Sequence, residues 1–465
     1  MYNFDFILLI SHKQEVPDSL REFNIPIVSL KALLANDTRL LDTPSSCICI
    51  VTGVGYKNTN LSLNWIKAHL NTNLIINIGS CGSSNPNLLN KLICPMGFKF
   101  QNKHVYSLGI FPFMITQDVL HVHSCESVLK PQQNLSSDIV DMESFWQAEF
   151  CYINNISYSC LKYVTDLNNN NTQNDYQNHI NLMIKSFNSI FLQLFSPIIS
   201  TPTVIIPTYN RVEFLKRSID SVLNQTVKPE CIVVDDGSTD DTKLLLDSYG
   251  SSIHVIRSNK NQGVSTARNL GINKSNSQWI SFLDSDDQWE KDKLEKQIDY
   301  YYKFPFYSVI QSQEHWIRNN KRINKKKHHQ KKHGILFDEA LNYCVISASS
   351  VLINRRVFEK FGYFDEKMRV CEDYELWLRL TRNLIIGLDN TYSLKKYAGH
   401  ANQLSFSYEA MDRFRVYALK KQLQNEHNPF IKKKIINTIT KKESILQSGK
   451  LKRGIKSVYD KENLL

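Results

Sequence analysis

The alternation of strand-like and helix-like segments, interrupted once near the middle of the chain, most restricts what this sequence can fold into. Short apolar runs alternate with helical patterns, which is typical of α/β domains. The interruption is FSPIISTPT, residues 195–203, whose prolines and small polar residues are typical of a linker. The strand-like runs lie at residues 6–10, 48–52, 74–78, 204–206, 231–234, 254–256 and 279–283.

Because the alternation restarts after the linker, we predict two separate α/β domains. The first covers residues 1–197 and the second covers residues 202–407. Residues 408–465 carry periodic apolar positions with many lysines and are predicted to form a helical basic tail. The length of 465 residues agrees, since it exceeds what one hydrophobic core usually serves.

The composition is that of a globular protein, with 42% hydrophobic and 22% charged residues. Its apolar stretches fall short of the roughly 18 residues that a spanning helix needs. The first apolar run follows no basic segment, which argues against a secretory signal. The ten cysteines form no CxxC pair, and several lie inside apolar runs. We therefore expect reduced thiols and a cytoplasmic location, with membrane association left open.

The formal net charge of +11 is concentrated in two basic runs, residues 318–333 and 432–453. Such runs can hold an anionic membrane surface or nucleic acid. They can equally form a solvated loop and a solvated helix face. Peripheral membrane contact therefore stays open, and we expect no nucleic-acid partner.

Polar residues follow several predicted strands of the second domain. PTYNR ends the first strand, DDGSTDD follows the second, and DSDD, residues 284–287, follows the fourth. Open α/β sheets bind ligands at the carboxyl ends of their strands, so these segments are expected to meet at one edge. Turn formation and helix capping explain most of DDGSTDD, but they leave the doubled Asp235 and Asp236 unexplained.

The Asp-x-Asp pattern at Asp284 and Asp286 suits a hard divalent cation, Mg²⁺ or Mn²⁺, that keeps positions open for phosphate oxygens. Such a cation neutralises a departing diphosphate. Asp287 also fits a surface carboxylate at the N-terminal side of a helix.

Four segments of the second domain, taken in order, resemble family 2 glycosyltransferases with the GT-A fold. They are VIIPTYNRVEFLKRSIDSVLNQT, IVVDDGSTDDT, NQGVSTARNLGI and WISFLDSDDQW, between residues 204 and 289. The resemblance implies a Rossmann-like domain, a nucleotide-sugar donor, a divalent metal and transfer with inversion at the anomeric carbon. A UDP-sugar is the first choice of donor, and the implied acceptor is a saccharide or lipid-linked molecule.

The same resemblance implies roles for individual residues. Asp284 and Asp286 form the Asp-x-Asp site, with Asp286 as the first choice of metal ligand. Inverting transfer also requires a base, and CEDYELWLRL, residues 371–380, resembles the family block that supplies it. The base is then Asp373, beside Glu372, although acids at a helix start can also be simple caps. The implied donor-binding residues are Pro207, Thr208, Tyr209, Asp236 and Arg268, and KYAGHANQLS implies His400 at the metal or diphosphate.

The first domain carries four segments in the order seen in the purine nucleoside phosphorylase and methylthioadenosine nucleosidase family. They are VTGVGYKN, LIINIGSCGS, IVDMESFWQA and LKYVTDLNN, between residues 51 and 169. The resemblance implies an N-terminal nucleosidase-like fold. It places Met142 and Glu143 at the ribose, Ser80 near the ribose or the nucleophile, Asp166 at the base and Glu15 near the attacking water. Lys162 stands where that family has an arginine, which argues against phosphate as a substrate.

These observations together predict an inverting, metal-dependent glycosyltransferase for glycoconjugate or cell-surface polysaccharide synthesis, joined to a nucleosidase-like domain. Two alternatives stay open. The N-terminal domain could carry the main activity as a hydrolase or phosphorylase, or both domains could bind nucleotides without turnover. Asp284, Asp286 and Asp373 together argue against pure binding, because binding has no use for a base.

Overall fold

The computed structural model describes residues 2–4, 6–35, 41, 47–72, 74–95, 97–106, 119–122, 125–129, 137, 139–154, 156–167, 172–195, 201–304, 307–319, 321–323, 330–399 and 410–452. The chain divides into two compact units, Met1–Ser196 and Pro197–Leu465, called here the first and second units. Both contain helices and strands, as the α/β prediction requires. Among the described helices, none is long and apolar enough to cross a membrane.

The first unit is built on one large mixed sheet, and two short strands, Tyr2–Asn3 and Leu70–Asn71, form a separate two-stranded sheet. Its strands are β1 (Tyr2–Asn3), β2 (Phe6–Ile10), β3 (Ile27–Ser29), β4 (Cys47–Val51), β5 (Leu70–Asn71), β6 (Leu74–Ser83), β7 (Leu92–Pro95), β8 (Gly97–Phe100), β9 (Lys103–Tyr106), β10 (Val119–Val122), β11 (Cys125–Ser127), β12 (Ile139–Asp141) and β13 (Ser157–Asp166). Its helices are α1 (Ser19–Glu22), α2 (Leu30–Leu34), α3 (Tyr56–His69), α4 (Ser144–Ile153) and α5 (Thr172–Phe195).

The centre of this sheet is parallel. β6 pairs in parallel with β2 on one side and with β13 on the other, and β2 continues in parallel to β4. Every residue of β2 and β13 is buried, as expected of strands covered on both faces. Apolar side chains of these strands form a core with α3 and α4.

The second unit is built on a sheet of order β16-β15-β14-β17-β21-β19-β22-β18. Its strands are β14 (Thr203–Thr208), β15 (Glu230–Asp235), β16 (His254–Arg257), β17 (Trp279–Phe282), β18 (Gln288–Trp289), β19 (Val309–Arg318), β20 (Lys321–Ile323), β21 (Val351–Asn354) and β22 (Gly387–Tyr397). Its helices are α6 (Val212–Leu223), α7 (Thr242–Ser248), α8 (Val264–Lys274), α9 (Lys293–Lys303), α10 (Phe337–Asn342), α11 (Arg355–Phe361), α12 (Glu372–Asn383), α13 (Asp412–Gln424) and α14 (Pro429–Lys452).

The four strands β16, β15, β14 and β17 are parallel, so the segments that follow them leave the same edge of the sheet. β21 then pairs antiparallel with β17, and β22 pairs in parallel with β19. Helix α6 buries Leu215, Ile219 and Val222, which follow the spacing of one helix face. Gly237 has a φ of +80° and a Cβ there would lie 2.7 Å from the backbone of Lys260, so the turn after β15 requires glycine.

The described parts of the tail, α13 and α14, belong to the second compact unit. Buried side chains of both helices include Phe414, Leu419 and Ile435. The two helices therefore contribute apolar core to this unit.

Candidate functional site

A pocket of about 420 Å³ lies at the carboxyl ends of β14, β15 and β17. This is the edge at which the sequence predicts a ligand site. The predicted donor, metal and base residues that the structure describes all line it: Pro207, Thr208, Tyr209, Asp236, Arg268, Asp284, Asp286, Glu372 and Asp373. His400 lies outside the described residues.

Asp236 is held by backbone N–H groups at the start of α8. Its carboxylate accepts hydrogen bonds from the N–H of Gln262 at 3.0 Å and from the N–H of Gly263 at 2.7 Å. Burial raises the pKa of Asp236, although these two N–H groups and the charge of Arg369 act in the opposite direction. The carboxylate is therefore fixed in orientation on the pocket wall.

Arg268 joins two carboxylates across the pocket. Its guanidinium donates to Asp284 at 2.7 Å and to Glu372 at 2.6 Å, and its own side chain is 4% exposed. Burial alone would raise the pKa of Asp284, but the charge of Arg268 lowers it below its ordinary value. Burial raises the pKa of Glu372 to about 7, although the charge of Arg268 acts in the opposite direction.

Asp286 and Asp287 have different surroundings. Asp286 lies 3.6 Å from the guanidinium of Arg211 and lines the pocket. Asp287 is 1% exposed and accepts hydrogen bonds from the hydroxyl of Ser349 and the N–H of Tyr397. Burial, with the charge of Asp286, raises its pKa well above the ordinary value. The alternative that Asp287 is a surface carboxylate was wrong, because its side chain is buried. It accepts a hydrogen bond from β22 and so links this strand to the segment after β17.

Asp373 lies at the N-terminal end of α12, after Cys371 in the left-handed conformation with φ 59°. Its carboxylate accepts a hydrogen bond from the N–H of Tyr374 at 2.7 Å and one from the thiol of Cys344 at 3.2 Å. It is partly exposed and faces the pocket. The carboxylate is therefore accessible to a ligand in the pocket.

The carboxylates fit a divalent cation only in part. No group of three or more side chains able to hold a metal occurs among the residues that the structure describes. Asp284 and Asp286 nevertheless present hard oxygen donors to the same pocket. Mg²⁺ is typically held by one or two carboxylates together with phosphate oxygens and water. The donor set therefore fits a cation completed by a phosphate ligand.

A second cluster of ionisable groups lies in the first unit, where β6, β12 and β13 are adjacent. The hydroxyl of Ser80 donates to Glu15 at 2.7 Å, and the N–H of Gly55 donates to Glu143 at 2.8 Å. The structure thus brings the ends of several predicted segments together. Asp166, which accepts a hydrogen bond from the hydroxyl of Thr165, ends β13 and is buried.

Lys162 forms a buried ion pair within this cluster. Its ammonium lies 3.1 Å from Asp141, and both side chains are 1% exposed. Burial would raise the pKa of Asp141, but Lys162 and hydrogen bonds from Ser127 and Ser144 lower it. Burial raises the pKa of Glu143 to about 7, against the opposing charge of Lys162. Sequence reasoning did not assign a role to Asp141.

Comparison with known proteins extends the resemblance of the second unit. The model of the family described as glycosyl transferase family 2 matches residues 203–362. The glycosyltransferase RP339 of Rickettsia prowazekii is 30% identical over 268 residues, which cover 55% of this chain and 77% of that protein. The chain belongs to glycosyltransferase family 2. Its second unit is therefore a transferase unit with a GT-A-like α/β fold, as predicted.

Two further relatives have more specific names. TuaG of Bacillus subtilis, named for teichuronic acid biosynthesis, is 30% identical over 214 residues, covering 44% of this chain and 81% of TuaG. The Escherichia coli enzyme WfgD, a UDP-Glc:α-D-GlcNAc-diphosphoundecaprenol β-1,3-glucosyltransferase, is 33% identical over 199 residues, covering 42% of this chain and 76% of WfgD. The family model lies within the second unit, and the nucleosidase resemblance of the first unit stays a prediction.

Several pocket residues of the family 2 unit were not predicted from the sequence. They are Arg211, Arg369, Lys396 and Tyr397. Arg211 directly follows Tyr209 and Asn210 in PTYNR, and Lys396 opens KYAGHANQLS, so both lay inside segments already singled out. Lys331, from the basic run, is buried in an ion pair with Glu314 instead of being solvated.

Proposed function

We propose that the second unit transfers a sugar, with inversion, from a nucleoside diphosphate sugar to an acceptor hydroxyl. The single observation that carries this proposal is one pocket lined by Asp236, Asp284, Asp286 and Asp373. The residues proposed to recognise the nucleotide, to bind the diphosphate and to act as the general base then line one cavity. That cavity is large enough for part of a donor and an acceptor.

The chemistry assigns one role to each group. Asp373 takes the proton of the acceptor hydroxyl as its oxygen forms a bond to the anomeric carbon. The bond between that carbon and the diphosphate oxygen breaks, and its electron pair leaves with the nucleoside diphosphate. Asp284 and Asp286 would hold Mg²⁺ or Mn²⁺, which when bound neutralises charge on the diphosphate. Pro207, Thr208, Tyr209 and Asp236 would border the nucleoside.

The named relatives support the kind of substrate. WfgD is named for a UDP-sugar donor and a diphosphoundecaprenol-linked acceptor, and TuaG is named for teichuronic acid biosynthesis. We therefore propose a UDP-sugar donor, a lipid-linked saccharide acceptor and a place in cell-surface polysaccharide synthesis.

Ligand-induced thermal stabilisation tests the donor site. UDP, GDP, dTDP and CMP would each be added with and without Mn²⁺ to the wild type and to Asp286→Ala. A ligand at 100 times its Kd adds about 2.7 kcal/mol of stability, which raises the Tm by about 5 to 10 °C in a unit of this size. We expect one nucleotide to do so only with metal and only when Asp286 is present.

The matched control is Asp247→Ala, which removes an exposed carboxylate outside the pocket and should respond like the wild type. Stabilisation of Asp286→Ala equal to that of the wild type would disprove the metal assignment. Absence of stabilisation by every nucleotide would overturn the donor site itself.

A second function, N-glycoside hydrolysis in the first unit, is favoured by the surroundings of the Glu15 carboxylate. This side chain is 3% exposed, and its Oε2 accepts no hydrogen bond from the described residues. A Cβ on Gly79 would lie 3.1 Å from that oxygen, so the glycine preserves space beside it. A carboxylate oxygen with adjoining space can orient a water molecule for attack on a ribosyl carbon.

Incubation with methylthioadenosine or inosine, followed by detection of free base, tests this second function. Release should be lost in Glu15→Gln and should not depend on added phosphate, because Lys162 is already committed to Asp141. No release from the folded wild type would remove this function and leave the transferase proposal intact.

A further inference from the structure

Lys396, near the end of β22, lines the donor pocket. The pocket wall around it also contains Asp284, Asp287 and Asp373. Burial would lower the pKa of Lys396, but the charges of Asp287, Glu314, Asp284 and Asp373 raise it above its ordinary value. The group is therefore a permanent cation within the pocket.

Two arginines that line the pocket are already in ion pairs with its carboxylates, Arg268 with Asp284 and Arg211 with Asp286. Lys396 differs from them. Within the part of the chain that the structure describes, no carboxylate lies within ion-pair distance of its ammonium, and its hydrogen bond is to the hydroxyl of Ser347 at 3.5 Å. Its charge is therefore available to an anionic ligand.

A buried set of polar groups fixes the side chain that Lys396 contacts. The hydroxyl of Ser347 donates to Glu314 at 2.7 Å and accepts from Lys331 at 3.1 Å. Lys331 also lies 3.5 Å from Glu314, and their side chains are 4% and 2% exposed. Burial would raise the pKa of Glu314, but Lys331 and Lys396 lower it to about 2, so the acid stays ionised.

We propose that Lys396 binds the diphosphate of the donor directly and that Ser347, held by Glu314 and Lys331, positions it. This inference rests on the proposed transferase function. Breaking the sugar–phosphate bond leaves an additional negative charge on the diphosphate, and a fixed cation stabilises that charge as it develops. Lys331, from the basic run at residues 318–333, thus supports the donor site through its contact with Ser347.

Isothermal titration with a nucleoside diphosphate and the matching monophosphate, both with Mn²⁺, tests the assignment. The probe is whichever of UDP, GDP and dTDP stabilises the wild type. Lys396→Met should weaken diphosphate binding roughly 10- to 100-fold, the usual loss for a hydrogen bond to a charged group. Binding of the monophosphate should change less than about threefold, which also shows that the variant is folded.

Lys396→Arg keeps the charge and should recover most of the diphosphate affinity. Lys395→Met is the matched control, because Lys395 is the adjacent residue, pairs with Glu290 at 2.8 Å and does not line the pocket. It should bind both probes like the wild type. Ser347→Ala should weaken the diphosphate by a smaller factor than Lys396→Met and leave the monophosphate unchanged.

Equal losses of diphosphate and monophosphate affinity in Lys396→Met would overturn the inference. Unchanged diphosphate affinity, with the acidic limb of the pH–rate profile moved to higher pH, would also overturn it, because Lys396 would then act on Asp373. A wild type that binds none of the nucleotides removes the proposed function as well, so the two failures are distinguishable.

Discussion

In each unit a buried cation lies beside two carboxylates, and the two arrangements differ in how that cation is shared. In the second unit Arg268 donates to both Asp284 and Glu372. In the first unit Lys162 pairs with Asp141, while Glu143 accepts a hydrogen bond from the backbone of Gly55. In both units one carboxylate has a lowered pKa and the other a pKa of about 7.

The difference follows from the chemistry of the two cations. A guanidinium has several donors in a fixed plane and can bridge two acids, whereas an ammonium acts as a point charge. The cluster of the second unit also opens onto the pocket, where the side chain of Asp284 is 31% exposed, whereas that of Asp141 in the first unit is 1% exposed. The carboxylate of Asp141 is thus shielded from ligands, and that of Asp284 is accessible to them.

The largest expected effect concerns sugar transfer by the second unit. Asp373→Asn should lower kcat for sugar transfer by about 10²- to 10⁴-fold, because it removes the proposed base. Nucleoside diphosphate affinity should stay within about threefold, as measured by titration. Asp338→Asn, an exposed acid outside the pocket, is the control and should retain full activity. A loss below about tenfold in Asp373→Asn would assign the base to another group.

The next effect compares the two buried cations. Lys162→Met should destabilise the first unit by about 3 to 5 kcal/mol, because it leaves the carboxylate of Asp141 buried without a partner. Arg268→Met should cost the second unit less, since the partly exposed Asp284 regains water. Hydrogen exchange of peptides from β13 and from α8 in the full chain measures each unit separately. Equal costs in both units would show that exposure of the carboxylate does not distinguish the clusters.

The smallest effect is the pH dependence set by Glu143. Its pKa of about 7 exceeds the ordinary value of 4.5, so the folded state binds this proton more tightly than the unfolded state. Stability from this group is complete below pH 4.5 and is lost as the pH rises towards 7. Glu143→Gln should therefore be more stable than the wild type at pH 8 by about 1 to 3 kcal/mol and equal to it at pH 4.

Urea unfolding of the full chain at pH 4, 6 and 8 measures that difference. Glu372→Gln is the informative partner variant in the second unit. This variant also removes a carboxyl group with a raised pKa, but it weakens the contact with Arg268. Its gain in the free energy of unfolding at pH 8 should therefore be smaller than that of Glu143→Gln. A larger gain in Glu372→Gln would mean that the shared guanidinium contributes little.

Much of the parallel framework was predictable from the sequence. The strand predicted at residues 6–10 is Phe6–Ile10, and the strand predicted at 231–234 lies within Glu230–Asp235. These strands are buried on both faces and therefore appear as continuous apolar runs. β6 extends to Ser83, beyond the predicted end at residue 78, because pairing with β13 carries the strand through glycine and serine.

Pocket residues that lie in local sequence motifs were predicted. Pocket residues whose position depends on contacts between distant segments were not. Asp284, Asp286 and Asp373 lie in recognisable blocks and line one pocket. β22 has a mixed polar sequence with no strong strand pattern, so the position of Lys396 could not be read from it. The pairing of Lys331 with Glu314 depends on tertiary contact, and composition alone indicated a solvated run.

The distribution of cysteines gives the native protein a selective chemical handle. All ten are free thiols, and Cys344 is the one that is not fully buried. Its sulfur lies 3.2 Å from the carboxylate of Asp373, and burial raises the pKa of its thiol, so alkylation there is slow but directed to one place. A maleimide or iodoacetamide label on Cys344 would consequently lie beside the proposed base without any engineered cysteine, and protection from labelling would report when a ligand covers Asp373.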